Sequence, residues 1–397
     1  MAELAPNGEI LFDIKNKDLM NTINAALSLY NIKIERAFPE IANEEATELD
    51  DYYRLDIPTE YLNQVDKIME LLYNTKAIDW AERNEVIKLS PLETNSEKIL
   101  KGNIDYGIND PKVAELWGFE AMEMDKFYQY IQKNKIKPKK KAKIAILDTG
   151  VDSQHEDVKG NFVSTRRKYD KDKQNHGTHC AGIAASVTNN GKGIASFAPN
   201  NQFVQVTSVK VLNDWGWGTQ DGIVAGIIEA ADKGADVISM SLGGPSRDGA
   251  QKAYEDAIQY ANKKGAIVIV AAGNSNEDAI KHTPANCKGV ICVSALDAEI
   301  AKANFSNHIK NVEMGIAAPG KDILSTIPNG KYAVYSGTSM ATPYVAGLAG
   351  ILKAVNPKLK TKELYKVLNS TGKTTKDNSL TGKMIYPLEA LKAVLKR

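Results

Sequence analysis

The sequence predicts two α/β units in tandem: a small open-faced βαββαβ sandwich, then a three-layer α/β domain built on a mostly parallel central sheet. Three observations carry that reading. Before residue 95, alternating and helical apolar patterns follow one another in the order βαββαβ. The polar stretch SPLETNSEKILKGNIDYG then interrupts the pattern without any periodicity. From Lys143 onward, runs rich in Val and Ile alternate with helical stretches, as in a parallel sheet covered on both faces.

In the first unit, GEILFDIK alternates like a strand, and KDLMNTINAALSLY carries Leu19, Ile23, Ala26 and Leu27 at helical spacing. IKIERAF and YYRLDIP read as strands on either side of an acidic loop. TEYLNQVDKIMELLY places Leu62, Val65, Ile68, Met69 and Leu72 on one face, with Thr59 as its expected N-cap. NEVIKL is expected to close the sheet as its last strand. The boundaries expected are 1–95 for this ferredoxin-like unit, 96–106 for a linker and 107–397 for the large domain.

In the second unit, the helix MEMDKFYQYIQ and the lysine-rich, solvated connection KNKIKPKKKAK precede the sheet. KIAILD, FVQVTSVKVL, DVISMSL, AIVIVAAG and GVICVSAL are the expected buried strands. QDGIVAGIIEAADKG and GAQKAYEDAIQYANKKG are helices between them. Ligands in such sheets sit beyond the carboxyl ends of the strands, so the residues after each run matter most.

Composition narrows the function classes. The chain has 397 residues, 43% hydrophobic and 25% charged, with a formal net charge of +1. Such a balance gives no electrostatic reason to expect nucleic acid or an anionic membrane as partner. Three cysteines do not make a disulfide framework. No apolar run is long enough to span a bilayer, and MAELAPNGEI lacks the parts of a signal peptide. Localisation is cytoplasmic if the chain is the whole native product, and extracellular if an export signal has been trimmed.

Three places after the apolar runs carry chemistry. Asp148 ends KIAILD, His179 lies at the start of the small-residue helix in NHGTHCAGIAA, and Ser339 lies likewise in SGTSMATPYVAGLAGIL. A serine hydroxyl becomes a nucleophile when an imidazole takes its proton and an acceptor fixes the imidazole tautomer. Backbone N–H groups at a helix start can in addition stabilise an oxyanion.

AILDTGVDSQHED, NHGTHCAGIAA, SMSLGG, VAAGN and SGTSMATPYVAG, in this order, resemble the signature blocks of the subtilisin family, and the resemblance spans roughly Tyr106 to Arg397. It implies a subtilisin-like serine endopeptidase acting on polypeptides through an acyl-enzyme. In that scheme Asp148 orients the imidazole, His179 is base and then acid, and Ser339 attacks. Asn274 and the Ser339 N–H form the oxyanion hole. Substrate is expected to add as a strand between Ser241-Leu242-Gly243-Gly244 and Trp215-Gly216-Trp217-Gly218. Ala271, Ala272 and Gly273 line the primary pocket, with His282 near its floor beside Glu277 and Asp278. The tryptophan pair reads as an aromatic lid favouring bulky apolar side chains. Cys180 follows the base and is no nucleophile, though mercurials are expected to inhibit through it. Cys287 and Cys292 are not expected to pair.

The same resemblance implies structural calcium and no organic cofactor. Asp157 would supply its carboxylate, Asn190 a side-chain oxygen, and Thr188, Lys192 and Ile194 their carbonyls. The first unit is similar to the family's propeptides, which assist folding and then inhibit. The expectation is therefore a self-processing zymogen, monomeric, with the linker after Leu92 in the groove and autocleavage between Leu92 and Gly107. A pseudoprotease scaffold and a narrow processing protease are the competing classes.

Overall fold

The computed structural model describes residues 8–39, 41, 49–89, 93–94, 102, 104–246 and 251–396. Its first unit is a four-stranded antiparallel sheet of β1 (Glu9–Ile14), β2 (Lys33–Arg36), β3 (Tyr52–Asp56) and β4 (Ile78–Arg83), in the order β2-β3-β1-β4. Successive side chains of a strand face opposite sides. Ile10, Phe12 and Ile14 therefore pack on Ile23, Leu27, Val65, Ile68 and Leu72 of helices Met20–Leu27 and Val65–Asn74. Leu11, with Tyr52, joins the hydrophobic core of the second unit instead. Both faces of β1 thus carry buried side chains.

Two expectations for this unit are corrected. Thr59 opens a 3-10 turn without capping it, and the α-helix starts only at Val65. NEVIKL does not close the sheet. The closing strand is β4, where Asp79, Glu82 and Arg83 break the apolar alternation that marks strands in sequence. NEVIKL leaves the sheet as β5 (Val86–Lys88), and β6 (Glu93–Thr94) follows it; both pair with the second unit.

That unit comprises β7 (Ala142–Asp148), β8 (Val204–Lys210), β9 (Trp217–Thr219), β10 (Val237–Met240), β11 (Gly244–Pro245), β12 (Ile267–Ala271), β13 (His282–Thr283), β14 (Val290–Leu296), β15 (Gly315–Pro319), β16 (Ile323–Ile327) and β17 (Lys331–Ser336). Six of them form one parallel sheet ordered β15-β14-β12-β10-β7-β8. Ile144 and Ile146 of β7 pack with the buried helices His176–Ala185 and Thr338–Val355. Ala145 and Leu147 pack with helices Gln220–Asp232 and Lys252–Lys263 on the other side. This is the expected three-layer α/β arrangement.

GIAAP (β15) and the hairpin β16–β17 escape the sequence reading, being short and poor in alternation. No helix among the described residues is long and apolar enough to cross a membrane. Cys180, Cys287 and Cys292 are free, buried thiols.

Candidate active site

Three chain segments meet at the carboxyl end of β7. Asp148 closes that strand and is fully buried. The next helix starts at His176, and Gly177 sets how closely it approaches. A Cβ on Gly177 would lie 2.1 Å from the Gly150 carbonyl oxygen and 3.1 Å from Asp148 Cβ, so only glycine lets the helix start press against the strand end.

That close approach decides which histidine meets Asp148. His176 Nδ1 lies 2.8 and 2.9 Å from the two Asp148 carboxylate oxygens. The expectation for His179 is corrected: its Nε2 donates to the Ala333 carbonyl at 3.0 Å, and its ring stacks on Tyr335 at 4.5 Å between centroids. Residues three apart in a helix differ by about 60° in direction. Only the first-turn histidine faces the strand end, while the other faces β17.

The two rings differ electrostatically as well. Burial pushes the His179 imidazole down to about 3, so it is neutral. For His176 burial acts in the same sense, but the Asp148 carboxylate outweighs it and holds the imidazole well above its usual range. Thr149 N–H donates to Asp148 Oδ1 at 2.7 Å and fixes that carboxylate. Cys180 Sγ sits behind the pair, 3.9 Å from His176 Nδ1 and donating to the Ser339 carbonyl, with burial raising its thiol pKa.

Ser339 lies in the first turn of helix Thr338–Val355, and its Oγ donates to the Ser241 carbonyl at 3.1 Å. Asn274 is oriented by Thr338, whose N–H and Oγ1 both donate to Asn274 Oδ1 at 2.8 and 2.9 Å. The amide Nδ2 is thereby turned the other way. A Cβ built on Gly337 would stand 3.4 Å from Asn274 Nδ2 and 3.6 Å from Ser339 N, so two donors flank one point that glycine leaves open.

The adjoining pocket is lined by Lys88, Leu89, Ser241, Leu242, Gly243, Ala271, Ala272, Gly273, Asn274, His282, Thr338 and Ser339. His282 is buried in it and bonded through Nε2 to Glu277 at 2.8 Å. Lys88 and Leu89 belong to the first unit. β5 pairs antiparallel with β9, setting Ile87 against Gly218 and Lys88 against Trp217, and Leu89 N–H donates to the Gly216 carbonyl at 3.0 Å. β6 then pairs antiparallel with β17, setting Glu93 against Ser336 and Thr94 against Tyr335. The two paired stretches are 86–88 and 93–94, at the upstream edge of the Leu92–Gly107 span expected to be cut; residues 90–92 lie outside the described residues. Trp215 is 82% exposed.

The first unit also grips the helices behind the groove. Glu82 accepts from the backbone N–H groups of Lys252 and Ala253 and from the Gln220 side chain, capping one helix and touching the start of another. Burial pushes the Glu82 carboxyl up to about 8. Arg54 pairs with Asp221, and Tyr52 donates to Asp256.

A second cluster lies at the loop 187–197. Asp157 accepts from Asn190 Nδ2 at 2.9 Å through Oδ1, and from Ile194 N–H at 2.8 Å and Tyr332 Oη at 2.9 Å through Oδ2. Asp110, which sequence reading missed, accepts from the N–H groups of Asn189 and Asn190. Both carboxylates are buried. Burial raises both, the Asp157 charge raises Asp110 further, and neither forms an ion pair with a basic side chain among the described residues. Two buried acids beside the Asn190 side chain are oxygen donors of the kind calcium takes.

The family model described as the subtilase family matches residues 139–384. Thermitase of Thermoactinomyces vulgaris is 47% identical over 216 residues, 53% of this chain and 74% of the relative. Subtilisin DY of Bacillus licheniformis is 39% identical over 255 residues, 62% of this chain and 89% of the relative. Among solved structures, a protease of Pseudoalteromonas arctica superposes with a TM-score of 0.61 at 28% identity, covering 72% of this chain and 99% of that one.

Proposed function

Since this chain belongs to the subtilase family and is a serine endopeptidase, we propose that it works through Asp148, His176 and Ser339 and is made as a self-processing zymogen. The observation that carries the reading is the course of 86–94. Val86–Lys88 of the same chain pair with β9, Leu89 lines one pocket with Ser339, and Glu93–Thr94 pair with β17, as expected of a peptide that presents one bond to the nucleophile.

In this scheme the Ser339 hydroxyl turns about χ1 from the Ser241 carbonyl toward the substrate, and Nε2 of His176, in the neutral form protonated on Nδ1 alone, takes its proton. Asp148 keeps Nδ1 protonated and stabilises the imidazolium. Negative charge building on the attacked carbonyl oxygen meets Asn274 Nδ2 and the Ser339 N–H. One such donor is worth about 3–4 kcal/mol. His176 then protonates the leaving amine, and water reverses the sequence to free the acyl group.

The first unit acts as inhibitor and first substrate, with the cut falling between Leu89 and Glu93, where the paired strands on either side straddle Ser339. A calcium ion, when bound, would tie Asp110, Asp157 and Asn190 to the carbonyls of Thr188, Lys192 and Ile194. The Asn190 amide would rotate to offer Oδ1. Its contribution is to neutralise two buried acids and fix the loop, and it takes no part in the bond-breaking steps.

Expressing the chain beside its Ser339→Ala variant tests the proposal. The parent shortens by about its first ninety residues and hydrolyses casein, while the variant stays full length and inert. Equal shortening of both would end the self-processing reading, and equal casein hydrolysis the mechanism.

A further inference from the structure

Alternation along β5 sorts its side chains. Ile87 is buried and Leu89 half-buried, whereas Lys88 between them is exposed. A residue on the outward side of a bound strand ordinarily meets water alone and is not selected. Here it meets an aromatic face. The Lys88 ammonium lies 4.7 Å from the centroid of the Trp217 ring, directly across the β5–β9 pair. Trp217 is 42% exposed, so its ring is available to whatever strand lies in the groove. The one carboxylate of that loop, Asp214, is already engaged by Lys173 and Lys210. No described carboxylate pairs with Lys88, which leaves the ring as its partner.

We propose that Trp217 is a specificity-determining residue selecting a cationic side chain, lysine or arginine, at the substrate position aligned with Lys88, one residue before that aligned with Leu89. The inference rests on the reading of 86–89 as occupying substrate positions, and it makes the enzyme's preferred peptides apolar–basic–apolar, as in Ile87-Lys88-Leu89. The ring's negative face attracts the ammonium, and the lysine stem covers the indole edge. At a partly exposed site the selection is worth about two- to fivefold in kcat/KM.

The test uses the chain after it has processed itself and quenched peptides containing Ile-Lys-Leu-Ser, or the same with norleucine or glutamate in place of lysine. The lysine peptide is expected to exceed the norleucine peptide about two- to fivefold, and the glutamate peptide to be slowest. Trp217→Ala brings the lysine-to-norleucine ratio to about one, and Trp217→Phe keeps most of it. Equal rates for lysine and norleucine, or a ratio unmoved by Trp217→Ala, overturn the inference. Loss of all turnover in the parent instead counts against the proposed function. The ring contact is then read without turnover, by hydrogen exchange at Trp217–Thr219 in the Ser339→Ala chain. Lys88→Met is expected to speed exchange about two- to fivefold and Lys88→Arg to leave it unchanged; equal exchange in both overturns the contact.

Discussion

Replacing each histidine of the 176–185 helix by alanine separates the two imidazoles by consequence. His176→Ala removes the one ring bonded to Asp148 among the described residues. Losing the general base of such a triad costs about 10⁴- to 10⁶-fold in kcat, or roughly 5–8 kcal/mol of transition-state stabilisation. The fold keeps its helix, because the backbone N–H and carbonyl groups are untouched. His179→Ala removes a buried ring, one hydrogen bond to Ala333 and a stack on Tyr335. A neutral hydrogen bond contributes about 1 kcal/mol, the aromatic contact about 1, and the cavity another 1–2, so stability falls by about 3–4 kcal/mol. Catalysis in the folded fraction changes by less than about tenfold, because Asp148 still meets His176. The assay is chain mass after expression, kcat/KM on a chromogenic peptide and a thermal melt of each variant. His176→Ala is expected full length, inert and stable; His179→Ala shortened, active and less stable. A folded His179→Ala chain as inert as His176→Ala, or an active His176→Ala chain, would refute the assignment.

Asn274→Leu should lower kcat about 10²- to 10³-fold with little change in KM, since the amide meets charge only in the transition state; a change confined to KM in steady-state kinetics would remove Asn274 from that role. In the Ser339→Ala chain, burial holds Glu82 at about 8 and Asp13 at about 7, above their ordinary values of 4.5 and 3.8. The folded, docked form therefore binds protons that the unfolded form releases, and this stability is full below about pH 4 and lost as pH rises through 7 to 8. The melting temperature should fall across that window and Glu82→Gln should flatten the fall; a rise, or a fall that Glu82→Gln leaves intact, contradicts the cause. At 1 mM calcium a micromolar site adds roughly 4 kcal/mol, so chelation should lower the melting temperature by about 5–10 °C in the parent and barely in Asp110→Asn. Equal response of both chains to chelator would clear Asp110 of a ligand role.

The sequence by itself determined the α/β class, the alternation of buried strands and helices, and the places of Asp148 and Ser339, because one ends a strand and the other starts a small-residue helix; Asn274 was named only by the resemblance to the subtilisin family. The sequence also marked two units and the polar break between them. Tertiary structure alone decided which of two histidines three residues apart faces the aspartate. The answer depends on the angle at which Gly177 lets one helix meet one strand, and no local pattern records that angle. The same holds for Asp110, brought to the 187–197 loop from about 80 residues away, and for NEVIKL. As a pattern NEVIKL is a strand, and its apolar alternation suits any sheet edge. Its partner is the β9 backbone across the groove rather than β1, because IDWAER already fills the edge beside β1 and Ile87 buries its side chain only in the second unit's core.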